Sequence, residues 1–172
     1  MLRNVEIKAK LRDLKGLKEK IKKLTDSDGV LIHQHDTFFK VSQGRLKLRQ
    51  FQNGDAEIIS YNRPDDEGPK LSSFEKCDIK AENVDGLKIV LSHALGVFGV
   101  VKKTRELYLV GQTRIHLDSV DELGNFVELE VVLKPEQSLE EGNLICNDLM
   151  GKLGIEDGDL LKGAYRDLLE NK

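Results

Sequence analysis

Charged side chains that could bind a phosphate chain and a metal ion recur at every second position in several segments of this sequence. Arg45, Lys47 and Arg49 form one row, and no acidic residue lies between them. Glu128 and Glu130 form another row, separated by Leu129. Like charges on one strand face repel each other unless a counter-ion binds there. The cationic row therefore predicts a bound polyanion, and the acidic row predicts a hard divalent cation such as Mg²⁺ or Mn²⁺.

Two further segments follow the same period, one at the N-terminus and one in the second half of the chain. Their polar members are Asn4, Glu6, Lys8 and Lys10, and then Arg114, His116 and Asp118. A period of two is the signature of a β-strand, whose successive side chains point to opposite faces. Each segment is therefore predicted to be a strand with one charged face and one apolar face.

Turn signals and apolar periodicity divide the rest of the chain into further elements. Strands are predicted over 3–11, 30–40, 45–51, 56–63, 73–80, 97–110, 113–120 and 126–133, and helices over 13–25, 83–95, 138–153 and 159–170. Residues 64–69 are predicted to form a mobile polar loop, because prolines, acids and a glycine cluster there. With no visible repeat or linker, the 172 residues are predicted to form one domain over 1–172.

About eight antiparallel strands close readily into a barrel whose interior holds side chains or a ligand. We therefore predict an α+β fold, an eight-stranded antiparallel β-barrel with a polar interior and with helices packed on its outside. The apolar residues that alternate with the charged ones, such as Val5, Leu48 and Leu129, would then face outward, beneath the helices. The alternative is an ordinary barrel whose charged faces contact water. The polar tunnel is favoured because a solvated face normally mixes acids and bases, whereas the Arg45 row does not.

Composition narrows the possible partners. The net charge is −3 and tryptophan is absent, so neither electrostatics nor base stacking favours a nucleic-acid partner. No apolar run approaches the ~20 residues of a membrane-spanning helix. The two cysteines, Cys77 and Cys146, lack metal-ligand spacing and are interpreted as reduced thiols. We expect a soluble, cytoplasmic protein, monomeric or homodimeric, with no nucleic-acid or membrane partner.

Several segments resemble the CYTH domain, also called the triphosphate tunnel metalloenzyme family. The family's N-terminal strand has the form ExExK, and here Asn4-Val5-Glu6-Ile7-Lys8 matches except that Asn4 replaces the first acid. Seven further blocks are similar and keep the family's order, two of them close together at 115–118 and 123–130. They are Asp36-Thr37-Phe38-Phe39, Gly44-Arg45-Leu46-Lys47-Leu48-Arg49, Tyr61-Asn62-Arg63-Pro64, Val101-Lys102-Lys103-Thr104-Arg105, Ile115-His116-Leu117-Asp118 with Leu123-Gly124-Asn125-Phe126-Val127-Glu128-Leu129-Glu130, and Ala164-Tyr165-Arg166-Asp167-Leu168-Leu169. The branch with class IV adenylyl cyclases and their non-cyclase relatives is the most similar.

This resemblance implies a tunnel open at both ends, a small-molecule substrate with a triphosphate, and Mg²⁺ or Mn²⁺ held by carboxylates. The implied metal ligands are Glu6, Glu128 and Glu130, with Asp118 as a further candidate. The implied phosphate-binding residues are Lys8, Arg45, Lys47, Arg49, Lys103 and Arg105. Arg63 is assigned to the substrate site, although contact with solvent is its alternative. Lys8 is also the catalytic candidate, contacting phosphate or helping to activate water, against the alternative of a simple ion pair with Glu6.

Three functions remain open at this point. The first is metal-dependent hydrolysis of an inorganic or organic triphosphate, the second is conversion of ATP to cyclic AMP and pyrophosphate, and the third is weakly catalytic binding of polyphosphate or nucleotide. Hydrolysis is preferred because many residues could hold a triphosphate and none clearly recognises adenine. Asn4 either weakens a second metal site or lies in water at the tunnel mouth. His116 is interpreted as a structural histidine, and Tyr165 either caps a tunnel mouth or packs.

Overall fold

Eight strands and four α-helices make up the regular structure in the computed structural model, which describes residues 2–64, 68–163 and 165–170. The strands are β1 (Leu2–Lys10), β2 (Val30–Phe39), β3 (Arg45–Phe51), β4 (Ala56–Asn62), β5 (Lys70–Ile79), β6 (Val97–Val110), β7 (Thr113–Val120) and β8 (Gly124–Val132). The helices are α1 (Leu14–Leu24), α2 (Ala81–Leu95), α3 (Leu139–Leu153) and α4 (Tyr165–Glu170), with a short 3₁₀ helix at Asp157–Asp159.

The strands close into one antiparallel barrel in the order β1-β5-β4-β3-β2-β6-β7-β8. Most neighbours are joined by hairpins, and β1 closes the barrel by pairing with β5 on one side and β8 on the other. The predicted α+β barrel is therefore confirmed. In this order β3 lies four strands from β8 in either direction, so these two strands face each other across the barrel.

The apolar faces of the strands point outward and form the core beneath the helices. Val5, Ile7 and Leu129 are fully buried in one cluster that also contains Leu17 and Ile21 of α1 and several residues of α3. A second cluster joins Leu48 of β3 to Val84 of α2. Because alternation sends the other face of each strand inward, the charged rows point into the barrel, as the tunnel interpretation requires.

The contact between α3 and the barrel gives a stability prediction with an internal control. A Cβ on Gly142 would lie 2.5 Å from Val5 Cγ2 and 2.7 Å from Leu133 Cδ2, both in the packed core. Gly142→Ala is expected to lower the free energy of unfolding in urea by about 1–3 kcal/mol, because overpacking forces the helix away from the sheet. Gly151→Ala, on the same helix but facing open space, is expected to be stabilising by about 0.4–1 kcal/mol. Equal effects of the two substitutions would contradict this packing.

The predicted final helix over 159–170 is wrong in its first half. Leu161 N donates to Lys8 O at 2.9 Å, and Leu160 bridges to Ala9, so this segment pairs with β1 instead of coiling. Gly163 then has a φ of +72°, and α4 begins only at Tyr165. Strand β5 begins at Lys70 rather than 73, because it continues pairing with Glu6 of β1. Part of the predicted mobile loop, residues 65–67, lies outside the described residues.

The helices within the described ranges are all too short or too polar to cross a membrane.

Candidate active site

The barrel encloses a cavity of about 430 Å³ lined by the inward rows of side chains. Of the residues predicted from sequence, the cavity brings together Glu6, Lys8, Lys47, Arg49, Arg63, Lys103, Arg105, Glu128 and Glu130. Two predicted residues are placed differently. Arg45 pairs with Asp167 of α4 at 2.8 Å, and Asp118 is almost completely buried beside Arg105.

A cationic wall consists of Lys47 and Arg49 on β3 and Lys103 and Arg105 on β6. The first three share one carboxylate that sequence reasoning missed. Asp36 on β2 accepts two 2.8 Å hydrogen bonds from Arg49 and one of 3.0 Å from Lys103. Lys47 Nζ lies 3.9 Å from the same carboxylate. The expectation that the Arg45 row carries no counter-charge is therefore wrong, because the acid comes from the neighbouring strand. Three cations on one carboxylate still leave this group with net positive charge.

Burial disfavours the charged forms of the two lysines in this wall. It lowers the pKa of Lys103 to about 8, with the attraction of Asp36 opposing the change. It also lowers the pKa of Lys47 well below the ordinary value, and Arg49 adds to this effect. Burial would raise the pKa of Asp36, but Arg49, Lys103 and Lys47 together hold it well below its usual range. A polyanion between these cations would relieve their repulsion and stabilise their charged forms.

A second ion pair fixes Arg105. Its Nε and Nη2 donate to both carboxylate oxygens of Asp118 at 2.7 Å, and Tyr165 Oη donates to Asp118 Oδ2 at 2.7 Å. Asp118 is only 1% exposed. Burial would raise its pKa, but Arg105 lowers it below the ordinary value, so the carboxylate stays charged. This geometry favours a positioning role for Asp118, which holds Arg105 toward the cavity.

An acidic wall consists of Glu6, Glu128 and Glu130 on β1 and β8. It lies across the barrel from β3 and meets the cationic wall at Arg105 of β6. Glu6 lies directly opposite Glu130 in the strand register. Each acid has an arginine neighbour. Arg63 Nη1 donates to Glu6 Oε1 at 2.8 Å, Arg105 Nη2 lies 3.5 Å from Glu128 Oε2, and Arg114 Nη2 lies 2.9 Å from Glu130 Oε2. Arg63 is thus turned inward, so its solvent alternative does not hold.

Residues that fit a divalent cation lie at the centre of the acidic wall. Ligand atoms of His116, Glu128 and Glu130 lie within 4.8 Å of one another, the only such group of histidine, cysteine and acidic side chains found over 2–64, 68–163 and 165–170. Burial, with Glu128 adding to it, raises the pKa of Glu130 to about 7. Burial and Arg105 lower the pKa of His116 well below 6.5, so its imidazole is neutral. A cation would offset the repulsion that raises the pKa of Glu130.

Comparison with known proteins identifies the family. The family model for the CYTH domain matches residues 2–165. The chain belongs to the CYTH domain family. It is 24% identical over 180 residues to a Methanocaldococcus jannaschii protein named "Putative adenylate cyclase MJ0240", covering 95% of this chain and 97% of that one.

Solved structures share the fold of this CYTH domain. The PH1012 protein of Pyrococcus horikoshii superposes with a TM-score of 0.82 at 24% identity, covering 96% of this chain and 98% of that one. The HpAC1 protein of Hippeastrum, an adenylyl cyclase candidate described as having a dominant triphosphatase activity, has a TM-score of 0.64 at 14% identity. That pair covers 94% of this chain and 91% of the plant chain. At these identities the likeness shows the fold alone.

The N-terminal motif of this CYTH domain reaches deep into the cavity. Lys8 is opposite Glu128 in the register, and its Nζ lies 3.9 Å from the centre of the Tyr165 ring. Burial lowers the pKa of Lys8 to about 8, with Glu128 opposing the change. Tyr165 lines the cavity and also packs on Phe126, with ring centroids 5.1 Å apart. The packing alternative for Tyr165 is therefore confirmed, and its ring also faces the cavity.

Asn4, the residue that departs from the motif, also lies in the cavity. It is 3% exposed, and its Oδ1 is buried without a hydrogen-bond partner among the described residues. The alternative that placed Asn4 in water at the tunnel mouth is therefore wrong. Its amide stands on the same strand face as Glu6 and Lys8, where the family motif has a carboxylate.

Asn4→Asp is expected to restore negative charge to the acidic wall with almost no change of shape. Without metal the variant should melt at a lower temperature, because the new carboxylate is buried near Glu6 and Glu130. It should then reach its half-maximal thermal shift at a lower Mn²⁺ concentration than the wild type. Asn125→Asp makes the same chemical change at an exposed position and serves as the control. Superimposable Mn²⁺ titrations of Asn4→Asp and wild type would contradict the assignment.

Proposed function

We propose that this CYTH domain binds a triphosphate in its cavity and hydrolyses it with the help of Mg²⁺ or Mn²⁺. The proposal rests on the positions of the cationic wall and the acidic wall. Lys47 and Arg49 stand on β3, across the barrel from Glu128 and Glu130 on β8. A phosphate chain between these walls would contact guanidinium and ammonium groups on one side and share a metal with carboxylates on the other.

The roles of individual residues follow from this placement. Lys47, Arg49, Lys103 and Arg105 would bind non-bridging phosphate oxygens. The buried carboxylate of Asp36 would hold the first three in position, and that of Asp118 would hold Arg105. Such prepositioned charge is the main requirement of phosphoryl transfer, in which the protein does little covalent chemistry. Arg45, although paired with Asp167, stays a predicted phosphate contact at the end of the same row.

The acidic wall provides the cation site. Glu128 and Glu130 would hold the metal. Glu6 could join them only if its carboxylate left Arg63 and bound the ion instead. Asp118 is less suitable as a metal ligand because Arg105 occupies both of its carboxylate oxygens. A metal held there would neutralise charge at the phosphate oxygens and would lower the pKa of the attacking water. Water attacks the terminal phosphorus, the bridging P–O bond breaks, and orthophosphate and the shortened phosphate chain leave. Only the neutral amine of Lys8 can accept the proton of that water, and because its pKa is lowered to about 8, the neutral fraction grows as the pH rises toward that value.

One observation favours an organic rather than an inorganic triphosphate. Leu2, Phe74 and Val132 line the cavity together with Asn4, and Leu2 pairs with Phe74 in the register. This apolar group would suit a base or another organic ring next to the phosphate-binding region. Cyclisation of ATP is therefore the second candidate. The Hippeastrum protein indicates that the same fold accommodates a dominant triphosphatase activity.

The test is to incubate the protein with tripolyphosphate, ATP or thiamine triphosphate plus Mg²⁺ or Mn²⁺ and to identify the products by ³¹P NMR. Hydrolysis predicts orthophosphate together with diphosphate or the organic diphosphate. Cyclic AMP with pyrophosphate would instead support the cyclase. Binding without any product would support the weakly catalytic module. Equal turnover in EDTA would contradict a metal-dependent enzyme.

The pKa values of two lysines predict how metal-free binding depends on pH. Lys8 and Lys103 both have pKa values lowered to about 8, so their charges are present below pH 8 and are lost as the pH rises through it. Tripolyphosphate affinity in EDTA should therefore fall above pH 8, by up to about tenfold per pH unit for each lysine. Calorimetry of wild type and Lys103→Met provides the measurement, since the comparison cancels the titration of the ligand itself. The variant should show the shallower fall, and parallel curves would contradict the prediction.

A further inference from the structure

His116 is a cavity residue that the phosphate-binding scheme does not use. It lies on β7, directly opposite Glu128 of β8 in the strand register, and the residue is only 4% exposed. Its Nδ1 is buried and has no hydrogen-bond partner among the described residues. A buried polar nitrogen without a partner is destabilising, and coordination of an ion would satisfy it.

This nitrogen and the carboxylate oxygens near it are arranged like the ligands of a metal site with both nitrogen and oxygen donors. His116 Nδ1 lies 4.0 Å from Glu128 Oε1, while the other carboxylate oxygen of Glu128 faces Arg105. Ligand atoms of His116, Glu128 and Glu130 are all within 4.8 Å of one another. Two atoms that bind one ion at about 2.1 Å stand roughly 3–4 Å apart, so a small side-chain adjustment would bring all three onto one ion.

We infer that His116 is a third, nitrogen-donating ligand of the cation held by Glu128 and Glu130, and that it gives the site a preference for Mn²⁺ and later first-row metals over Mg²⁺. The inference deepens the proposed function, since it concerns the same cation site. Carboxylates and water suit Mg²⁺ and Mn²⁺ alike, whereas imidazole is a poor ligand for Mg²⁺ and suits transition metals. Removing the nitrogen should therefore lower the affinity for Mn²⁺ more than the affinity for Mg²⁺.

Electron spin echo spectroscopy of the full chain with Mn²⁺, without phosphate substrate, tests this directly. The wild type is expected to show a ¹⁴N coupling from a coordinated imidazole. His116→Gln should lose the coupling and bind Mn²⁺ at least about tenfold more weakly, as judged from the signal of free Mn²⁺. Its Mg²⁺ affinity, measured by competition, should change much less, so the Mn²⁺/Mg²⁺ ratio falls. The control is His93→Gln, which alters an exposed histidine of α2 and should leave both the coupling and the ratio unchanged.

A second measurement needs no variant and covers the case in which His116→Gln misfolds. Labelling the wild type with ¹⁵N-histidine should replace the ¹⁴N coupling by a ¹⁵N coupling. Bound Mn²⁺ without nitrogen coupling, coupling that persists in His116→Gln, or no Mn²⁺ binding at all would each overturn the inference. Tripolyphosphate hydrolysis without nitrogen coupling would leave the proposed function standing. Nitrogen coupling without hydrolysis of any triphosphate would contradict the proposed function and leave the histidine ligand standing.

Discussion

Asp36→Asn is expected to lower the free energy of unfolding by about 3–5 kcal/mol, the cost of breaking a buried ion pair from one side. The substitution leaves Arg49, Lys103 and Lys47 near one another, all buried, without the charge that they share. Chemical denaturation in urea without ligand measures the loss. Tripolyphosphate should stabilise this variant more than it stabilises the wild type, since its phosphates would take the place of the missing carboxylate.

Asp148→Asn is the matched control for Asp36→Asn. Asp148 pairs with Lys152 one turn away at 2.8 Å, but both side chains are more than half exposed. Water screens such a surface pair, so the same substitution there should cost no more than about 0.5 kcal/mol. If the two variants lost equal stability, Asp36 would not be the organising charge of the cationic wall.

Glu130→Gln is expected to weaken Mn²⁺ binding by on the order of 100-fold or more, while the fold loses little stability. The amide keeps the shape of the side chain but removes an ionised ligand. The fold should tolerate the change because burial and Glu128 already raise the pKa of Glu130 to about 7, which makes the unliganded carboxylate unfavourable. Calorimetric Mn²⁺ titration with parallel thermal melts measures both effects.

The control for Glu130→Gln is Glu140→Gln, in the exposed first turn of α3. It removes the same charge from the chain but lies outside the cavity, so its Mn²⁺ affinity should equal that of the wild type. Mn²⁺ binding by Glu130→Gln that matched the control would show that the cation is held elsewhere.

The fold was predictable from sequence because its signal is local. Alternation in segments such as Arg45–Arg49 shows which face of each strand is apolar, and the hairpin turns join most neighbours in order. A solvated face rarely carries a row of one charge, so the inward direction of the charged faces could also be inferred. The end of the chain was less predictable, because the pairing of Leu160 and Leu161 with β1 is a long-range contact that local helix propensity does not report.

The residues of the site could be predicted from the sequence, but the ion pairs and contacts between them could not. Alternation and motif similarity placed Lys47, Arg49 and Glu128 on inward faces. Asp36 was missed as the counter-charge of Lys47 and Arg49 because pairing across strands depends on register, which a single strand does not encode. His116 was assigned a structural role for the same reason, since its position opposite Glu128 emerges only once β7 pairs with β8. The inward position of both residues was the signal available in the sequence.

The barrel is proposed to bind a triphosphate between its cationic and acidic walls. Calorimetric titration of the metal-free protein with tripolyphosphate at pH 7, for wild type and Lys103→Met, tests this proposal most directly. The wild type should bind one tripolyphosphate per chain, and the variant should bind about 10–100-fold more weakly, because one charge-assisted phosphate contact contributes about 1.5–3 kcal/mol. No detectable binding by the wild type, or equal binding by a correctly folded Lys103→Met variant, would contradict the claim.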